Sequence, residues 1–161
     1  MTDQRIEDGG ADMSPEAIAH AARLVACMQA RYGDTWLEAE TYTYTLDAGG
    51  YISWDITRVK AWVTAHPEAD ALEVPRAQLA LIALNWETHQ AIVAAADPSR
   101  PGIAAPIIDR TQTPPVVCYI LVDGVHRATR AYLTGQPFFA CVLPDDVSRE
   151  CVIDAPPGTI P

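Results

Sequence analysis

The feature that most constrains the fold is a strand, a turn and a helix that follow one another without a break. Val116 to Val122 is a nearly continuous apolar run, as expected of a strand covered on both faces. Asp123-Gly124 supplies the turn, and Val125 to Leu133 has a helical pattern that ends at Gly135. A second apolar strand is predicted from Phe138 to Leu143. This alternation through short loops predicts an α/β fold, with α+β as the alternative.

The first hundred residues carry signals for further helices and strands. Ser14-Pro15-Glu16 predicts a helix start, and Ile18, Ala22 and Val25 recur near helical spacing after it. Asp55 predicts the N-cap of a second helix. The remaining predictions are strands at 41–46, 51–53 and 71–74, a helical stretch at 76–96 with a break near residue 85, and a short buried run at 106–108.

Length and composition fit one domain. The 161 residues are 49% hydrophobic and 20% charged, which suffices for a single core. We predict a disordered leader at 1–12, a domain at 13–153 with its core motif region at 71–143, and a mobile tail at 154–161. No run of about 18 apolar residues occurs, and the acidic start of the chain is unlike a secretion signal. The sequence therefore predicts a cytoplasmic protein without a membrane span.

The charge pattern points to an anionic ligand. The chain has 11 basic and 21 acidic residues and a net charge of -10, so a nucleic-acid partner is not expected. Against this acidic background, His126, Arg127 and Arg130 cluster where the predicted helix begins, and helix N-termini attract anions. Asp123 is expected to cap that helix, and Gly124 to let the backbone approach a ligand. A solvated basic helix face is the alternative.

Other candidate groups carry weaker signals. His20 and His66 are expected at the surface near helix ends. Glu87 and His89 are two residues apart and do not share a helix face, and none of the four cysteines is in a C-x-x-C pair, so no metal site is predicted. The sequence also lacks the G-x-x-x-x-G-K-[ST], G-x-G-x-x-G and G-x-S-x-G motifs.

The order of these elements resembles the ParB/sulfiredoxin superfamily. The resemblance runs from Pro106-Ile107-Ile108 through Asp123-Gly124-Val125-His126-Arg127 to Gly135 and the last strand. It implies a compact single domain, here with an extra N-terminal helix and strand region. It also implies that Gly124, His126 and Arg127 hold nucleotide phosphates and that Asp123 shapes the turn. Arg130 is added to this set because of its helical spacing.

The chain departs from the superfamily in ways that narrow its chemistry. Sulfiredoxins have a reactive cysteine at the position of Val125, so their reaction is not expected here. Partition proteins have a Gly-Glu-Arg-Arg turn and a DNA-binding domain after it, whereas 18 residues follow Leu143 here. A kinase needs a carboxylate beside its acceptor hydroxyl. Glu73 and Glu87 are the candidates, and ordinary surface acids are the alternative.

Two function hypotheses follow. The first is a protein that binds ATP or CTP with Mg²⁺, or another small phosphorylated ligand. If it is an enzyme, it is a phosphotransferase or a nucleotidase in which Arg127 and Arg130 stabilise the transferring group. The second is a non-enzymatic acidic interaction or regulatory protein of plasmid or phage type. Such a protein would keep the fold without turnover and bind a basic protein partner.

Overall fold

The computed structural model describes residues 14–85 and 90–161 of the chain. The predicted leader at 1–12 and the candidate residues Glu87 and His89 lie outside the described residues. The described α-helices are α1 (Pro15–Tyr32), α2 (Ile56–Ala65), α3 (Arg76–Asn85), α4 (Gln90–Ala95), α5 (Val125–Thr134) and α6 (Asp145–Cys151). The strands are β1 (Thr41–Thr45), β2 (Tyr51–Asp55), β3 (Ala71–Glu73), β4 (Gly102–Asp109), β5 (Val116–Asp123), β6 (Phe139–Val142) and β7 (Val152–Asp154).

Helices and strands combine into one compact domain with two sheets, as the sequence predicts. The small sheet has the antiparallel order β1-β2-β7, and β1 and β2 form a hairpin. The large sheet has the order β3-β6-β4-β5. In it, β4 and β5 form an antiparallel hairpin, and β4 runs parallel to β6. The arrangement is therefore mixed rather than purely parallel.

The larger part of the core lies between the two sheets. Ile52 and Trp54 from the small sheet pack with Ile103, Ile107 and other residues of the large sheet, of α2 and of the α6 region. A second cluster lies on the other face of the large sheet, where α3 and α5 pack together. Its fully buried members are Leu79, Ala128, Ala131 and Phe138. The strand–turn–helix unit thus contributes to both clusters, because Val122 of β5 belongs to the first, whereas Leu121 of β5 packs with α5 in the second.

Helix α1 covers the outer face of the small sheet through a face that the sequence did not predict. Ile18 and Val25 are exposed, whereas His20 and Met28 are buried. The expectation that His20 lies at the surface is therefore wrong. Its imidazole has polar partners on the sheet beneath the helix, which stabilise the buried ring.

Other differences concern the end of the chain and one helix face. α6 and β7 have no counterpart in the predictions, and the predicted tail packs against β4, where Ile108 N–H donates to the Thr159 carbonyl at 2.8 Å. Burial of Thr159 makes this segment part of the folded layer rather than a mobile tail. On α5, Leu133 is 67% exposed, although it is apolar and ends the predicted helical pattern, while Ala128 and Ala131 are buried.

Candidate functional site

The start of α5 is built by two glycines that lie against each other. Gly124 is the N-cap residue and has a φ of 97°, a conformation that favours glycine. A Cβ at Gly124 would lie 2.9 Å from the Gly102 Cα, and a Cβ at Gly102 would lie 2.8 Å from the Asp123 carbonyl oxygen. The turn therefore brings the end of β5 into backbone contact with the start of β4. This backbone contact fixes the position of the first turn of α5.

Asp123 does not cap this helix, contrary to the prediction. Its Oδ2 accepts a hydrogen bond from Arg127 Nη2 at 2.8 Å. The N-cap position belongs to Gly124, whose carbonyl accepts the first helical bond from Ala128 N–H at 2.8 Å. Gly124 has no side chain to occupy the first-turn amides, so these N–H groups are directed out of the helix end. Asp123 instead positions the arginine.

Arg127 lies over the turn rather than along the helix. Its Nη2 would be 3.1 Å from a Cβ at Gly124, so the guanidinium covers the N-cap residue. Its side chain is 16% exposed, and that of Asp123 is 23% exposed. A guanidinium has five N–H donors, and the ion pair with Asp123 uses one on Nη2. Arg127 therefore keeps donors for a further anion at the helix start.

Charged groups from two other segments lie near this turn. On α2, Lys60 Nζ is 2.6 Å from Glu40 Oε2 and 3.9 Å from Asp123 Oδ1. On the loop before β4, the pKa of Asp97 is lowered, mainly by hydrogen bonds from Ser99 and also by the charge of Arg127. The site therefore alternates positive and negative groups, and its cations are held by neighbouring carboxylates.

His126 and Arg130 lie beside Arg127 on the exposed side of α5, as their spacing predicts. Both are half-buried, and His126 has interactions of its own within the fold. Arg130 forms no ion pair with any residue in the described ranges. The five predicted ligand-binding residues all lie at the end of β5, at the N-cap of α5 or in its first two turns, and among them Arg127 and Asp123 satisfy each other in part.

An apolar cavity of about 680 Å³ begins where α5 starts. It extends between β1, β5 and α3, and its lining includes Val125, Leu121, Ile82, Tyr44 and Glu73. A cavity of this size is typical of small-molecule sites. Glu73, one of the two candidate catalytic carboxylates, is thus exposed on the cavity wall, and Glu87 lies outside the described residues.

Metal and thiol chemistry find little support at this site. Within residues 14–85 and 90–161, no group of three His, Cys, Asp or Glu side chains is arranged to hold a metal ion. Burial raises the pKa of the thiols of Cys118, Cys141 and Cys151, which disfavours the reactive thiolate. Val125, at the position of the sulfiredoxin cysteine, is buried.

Sequence reasoning missed Lys60 and the loop at 97–100 as parts of the site. Lys60 is more than sixty residues from Asp123 along the chain and belongs to a helix on another layer. Its own segment offers no sign of this contact. The residues of Asp97-Pro98-Ser99-Arg100 are typical of a loop, but their position near Arg127 depends on how α4 leads into β4.

Comparisons with known proteins give no match: no family model, no curated protein and no solved structure is similar to this chain. The resemblance to the ParB/sulfiredoxin superfamily therefore rests on the sequence, and its one specific part is the Asp123 to Ala131 motif. None of the described helices is long and apolar enough to cross a membrane.

Proposed function

We propose that this chain binds a nucleotide, ATP or CTP, or another small phosphorylated ligand at the start of α5. The observation that carries the proposal is the position of Arg127 over a glycine-capped helix N-terminus. Amides at such a terminus and a guanidinium offer complementary donors to a phosphate. A ParB/sulfiredoxin-like ancestry would account for the same residues in the same order.

The carboxylates of Glu40 and Asp123 near the helix start determine how tightly such a site binds an anion. The exposed ion pair of Lys60 with Glu40 contributes little stability, so Lys60 can turn toward a more highly charged group at low cost. Asp123 opposes an anion electrostatically but holds Arg127 in place. We therefore expect moderate affinity that weakens as salt is added.

The cavity next to Val125 suits the apolar part of such a ligand. Its walls are mainly aliphatic and aromatic, and Val125, the first residue of α5, is part of its lining. A base or another flat ring would bury apolar surface there, at about 25 cal/mol per Å². Glu73 lies on the same wall and is the carboxylate that would orient an acceptor hydroxyl if the protein transfers phosphoryl groups.

A Mg²⁺ ion would arrive with the ligand. The described residues do not fit a resident metal, since Asp123 already binds Arg127 and Asp97 accepts both hydrogen bonds of Ser99. Mg²⁺ commonly keeps several waters and binds through the phosphates of its nucleotide. No step of the proposal depends on a protein-held metal.

Thermal unfolding in the presence of ligands tests this function. ATP, ADP and CTP, each with and without Mg²⁺, are compared with adenosine and cytidine. Saturation to a hundred times the dissociation constant stabilises a folded protein by about 2.7 kcal/mol, enough to raise its melting temperature measurably. We expect the phosphorylated ligands to raise it and the nucleosides to leave it unchanged. Equal effects of both groups, or none, would contradict a phosphate site.

A second candidate function is favoured by the edge of the large sheet. β5 is an edge strand, and it exposes Val116, Val117 and Tyr119. Exposed apolar edge strands are used for β-strand addition by protein partners. This observation favours an interaction protein of the acidic, regulatory kind. A stoichiometric partner that copurifies from the native host, and that a Val117→Lys variant loses, would support it.

A further inference from the structure

A second constellation of polar groups lies under α1, away from the start of α5. His20 Nδ1 is 2.9 Å from Asp154 Oδ2, and His20 Nε2 is 2.7 Å from Ser53 Oγ. Ser53 Oγ is in turn 2.7 Å from Thr43 Oγ1. The three sheet residues stand directly across from one another, since Thr43 pairs with Ser53 and Ser53 with Asp154. Four side chains therefore form one continuous hydrogen-bonded line.

The direction of each hydrogen bond follows from the chemistry of the groups. In the neutral tautomer of His20 that donates from Nδ1 to the Asp154 carboxylate, Nε2 is left as an acceptor. Ser53 must then donate its hydroxyl proton to Nε2, and its lone pairs accept the hydroxyl proton of Thr43. Arg23 Nε also donates to the same Asp154 oxygen, at 2.9 Å. The line is thus oriented to draw a proton from Thr43 toward His20.

The two inner members of this line are buried, whereas Thr43 at one end is exposed. Ser53 is fully buried and His20 is 5% exposed, so neither is reached from solvent. The Tyr51 ring, 5.1 Å from the His20 ring, further fixes the imidazole. Thr43 is exposed on an edge strand and borders the 680 Å³ cavity. Of the two hydroxyls and one imidazole in this line, the Thr43 hydroxyl is therefore the one with access to a substrate.

We propose that Thr43 is a nucleophile for acyl transfer, activated through Ser53 by the His20–Asp154 pair, with an ester of an apolar acid as its substrate. The roles match those of a serine–histidine–aspartate triad, which is defined by geometry and not by order in the sequence. Here the buried serine serves as the relay and the threonine as the reactive end. The aliphatic walls of the cavity favour an apolar acyl group. The proposed acyl group would occupy the cavity that the proposed function assigns to the apolar part of a phosphorylated ligand, but the inference does not rest on phosphate binding at the start of α5.

The reaction balances without an added cofactor. Thr43 Oγ1 forms a bond to the ester carbonyl carbon, while its proton moves to Ser53 and the Ser53 proton moves to His20 Nε2. The bond to the leaving alcohol then breaks, as His20 returns its proton to Ser53 and the Ser53 hydroxyl passes a proton to that alcohol. Water repeats the sequence on the acylated threonine and releases the acid. Thr43 is the catalytic residue, and His20, Ser53 and Asp154 are positioning and relay residues.

Two other threonines of β1 serve as internal controls for the reactivity of Thr43. Thr41 and Thr45 are two residues away on either side, lie on the same face of β1 and are also exposed, and Thr45 borders the same cavity. Thr43 alone of these three faces Ser53 in the strand register. A reagent that reacts with threonines merely because they are exposed would therefore modify all three alike.

The test uses p-nitrophenyl butyrate on the full chain, with peptide mass spectrometry to locate the butyryl group. We expect Thr43 to be acylated at least about tenfold faster than Thr45, because general-base help is typically worth a hundredfold or more. Thr43→Val removes the reaction. His20→Gln keeps a donor for Asp154 and an acceptor for Ser53 but has no basic nitrogen, so it should retain the melting temperature and lose the acylation. Ser53→Ala should likewise lose it.

Three results would overturn the proposal. One is acylation of Thr41 and Thr45 at the rate of Thr43. The second is an absence of acylation at Thr43, including a butyryl group found on Ser53 instead. The third is an unchanged rate in the folded His20→Gln protein, which would show that the line of hydrogen bonds is purely structural.

Discussion

Arg127 pairs with Asp123, the residue four positions before it, by a 2.8 Å bond that crosses the first turn of its own helix. The pair holds the guanidinium against Gly124, at the end of the helix where the amides are exposed. An arginine held there is placed for an anion before the anion arrives, which lowers the entropic cost of binding. The negative charge of the Asp123 carboxylate also repels a bound anion, so it limits the affinity of the site for phosphate.

Asp123→Asn should strengthen phosphate binding. The amide oxygen still accepts from Arg127, but the negative charge is gone. Two unit charges about 4 Å apart in a water-like medium differ by ~1 kcal/mol, which corresponds to about a fivefold gain in affinity. Calorimetric titration with ATP at low ionic strength measures it. A loss of affinity would instead show that the carboxylate's charge is needed to hold the arginine.

Gly124→Ala should destabilise the protein more than Gly135→Ala. Both glycines have positive φ, so each substitution introduces backbone strain of about 1–2 kcal/mol. A Cβ at Gly135 meets nothing within 4 Å, whereas one at Gly124 would be 2.9 Å from the Gly102 Cα and 3.1 Å from Arg127 Nη2. Urea unfolding of both variants gives the comparison. Equal losses of stability would show that the two glycines contribute through strain alone.

Tyr32→Phe should remove stability at neutral pH, and the loss should shrink in alkaline solution. Tyr32 donates to the fully buried Asp55 at 2.6 Å. Burial and this hydrogen bond raise the pKa of Tyr32 from 10.0 to about 12. A bond to a charged acceptor contributes about 1.5–3 kcal/mol.

The sign of the pH effect follows from the raised pKa. Below pH 10 the tyrosine is protonated in both the folded and the unfolded chain, so its full contribution is present. Between pH 10 and about 12 the unfolded chain loses this proton first, and the contribution declines. Urea unfolding of the natural chain and of Tyr32→Phe across this range should therefore converge. A constant difference would contradict the assignment of the shift to Tyr32.

The local elements were predictable because their signals are local. The run at 116–122, the Asp-Gly turn and the helix after it appear where the apolar pattern and glycine positions place them, as does the Asp55 N-cap, whose carboxylate accepts from Arg58 N–H. β4 is longer than the predicted run at 106–108, because Gly102, Ala104 and Ala105 have weak strand propensity on their own. They are held in the strand by pairing with both β5 and β6.

The buried face of α1 and the position of Lys60 could not be predicted, because both depend on contacts between segments that are far apart in the sequence. The spacing of Ile18 and Val25 predicted the helix α1 but not its buried face, because α1 faces the sheet with His20, which forms hydrogen bonds with Ser53 and Asp154 there. Asp154 is contributed by a strand three residues long, too short for a pattern to reveal. The site residues on α5 share one element and were predictable together, whereas Lys60 was not.

The most direct test of the phosphate site is calorimetric titration of ATP and CTP, with Mg²⁺, into the natural chain and two variants. Arg127→Ala removes the guanidinium over the helix start, and Arg149→Ala removes an exposed arginine of α6 as the matched control. We predict that Arg149→Ala binds like the natural chain. Arg127→Ala should lose at least about tenfold in affinity, the loss of one charge-assisted contact of 1.5–3 kcal/mol, while unfolding at an unchanged urea midpoint. Equal affinity in all three proteins would contradict the account.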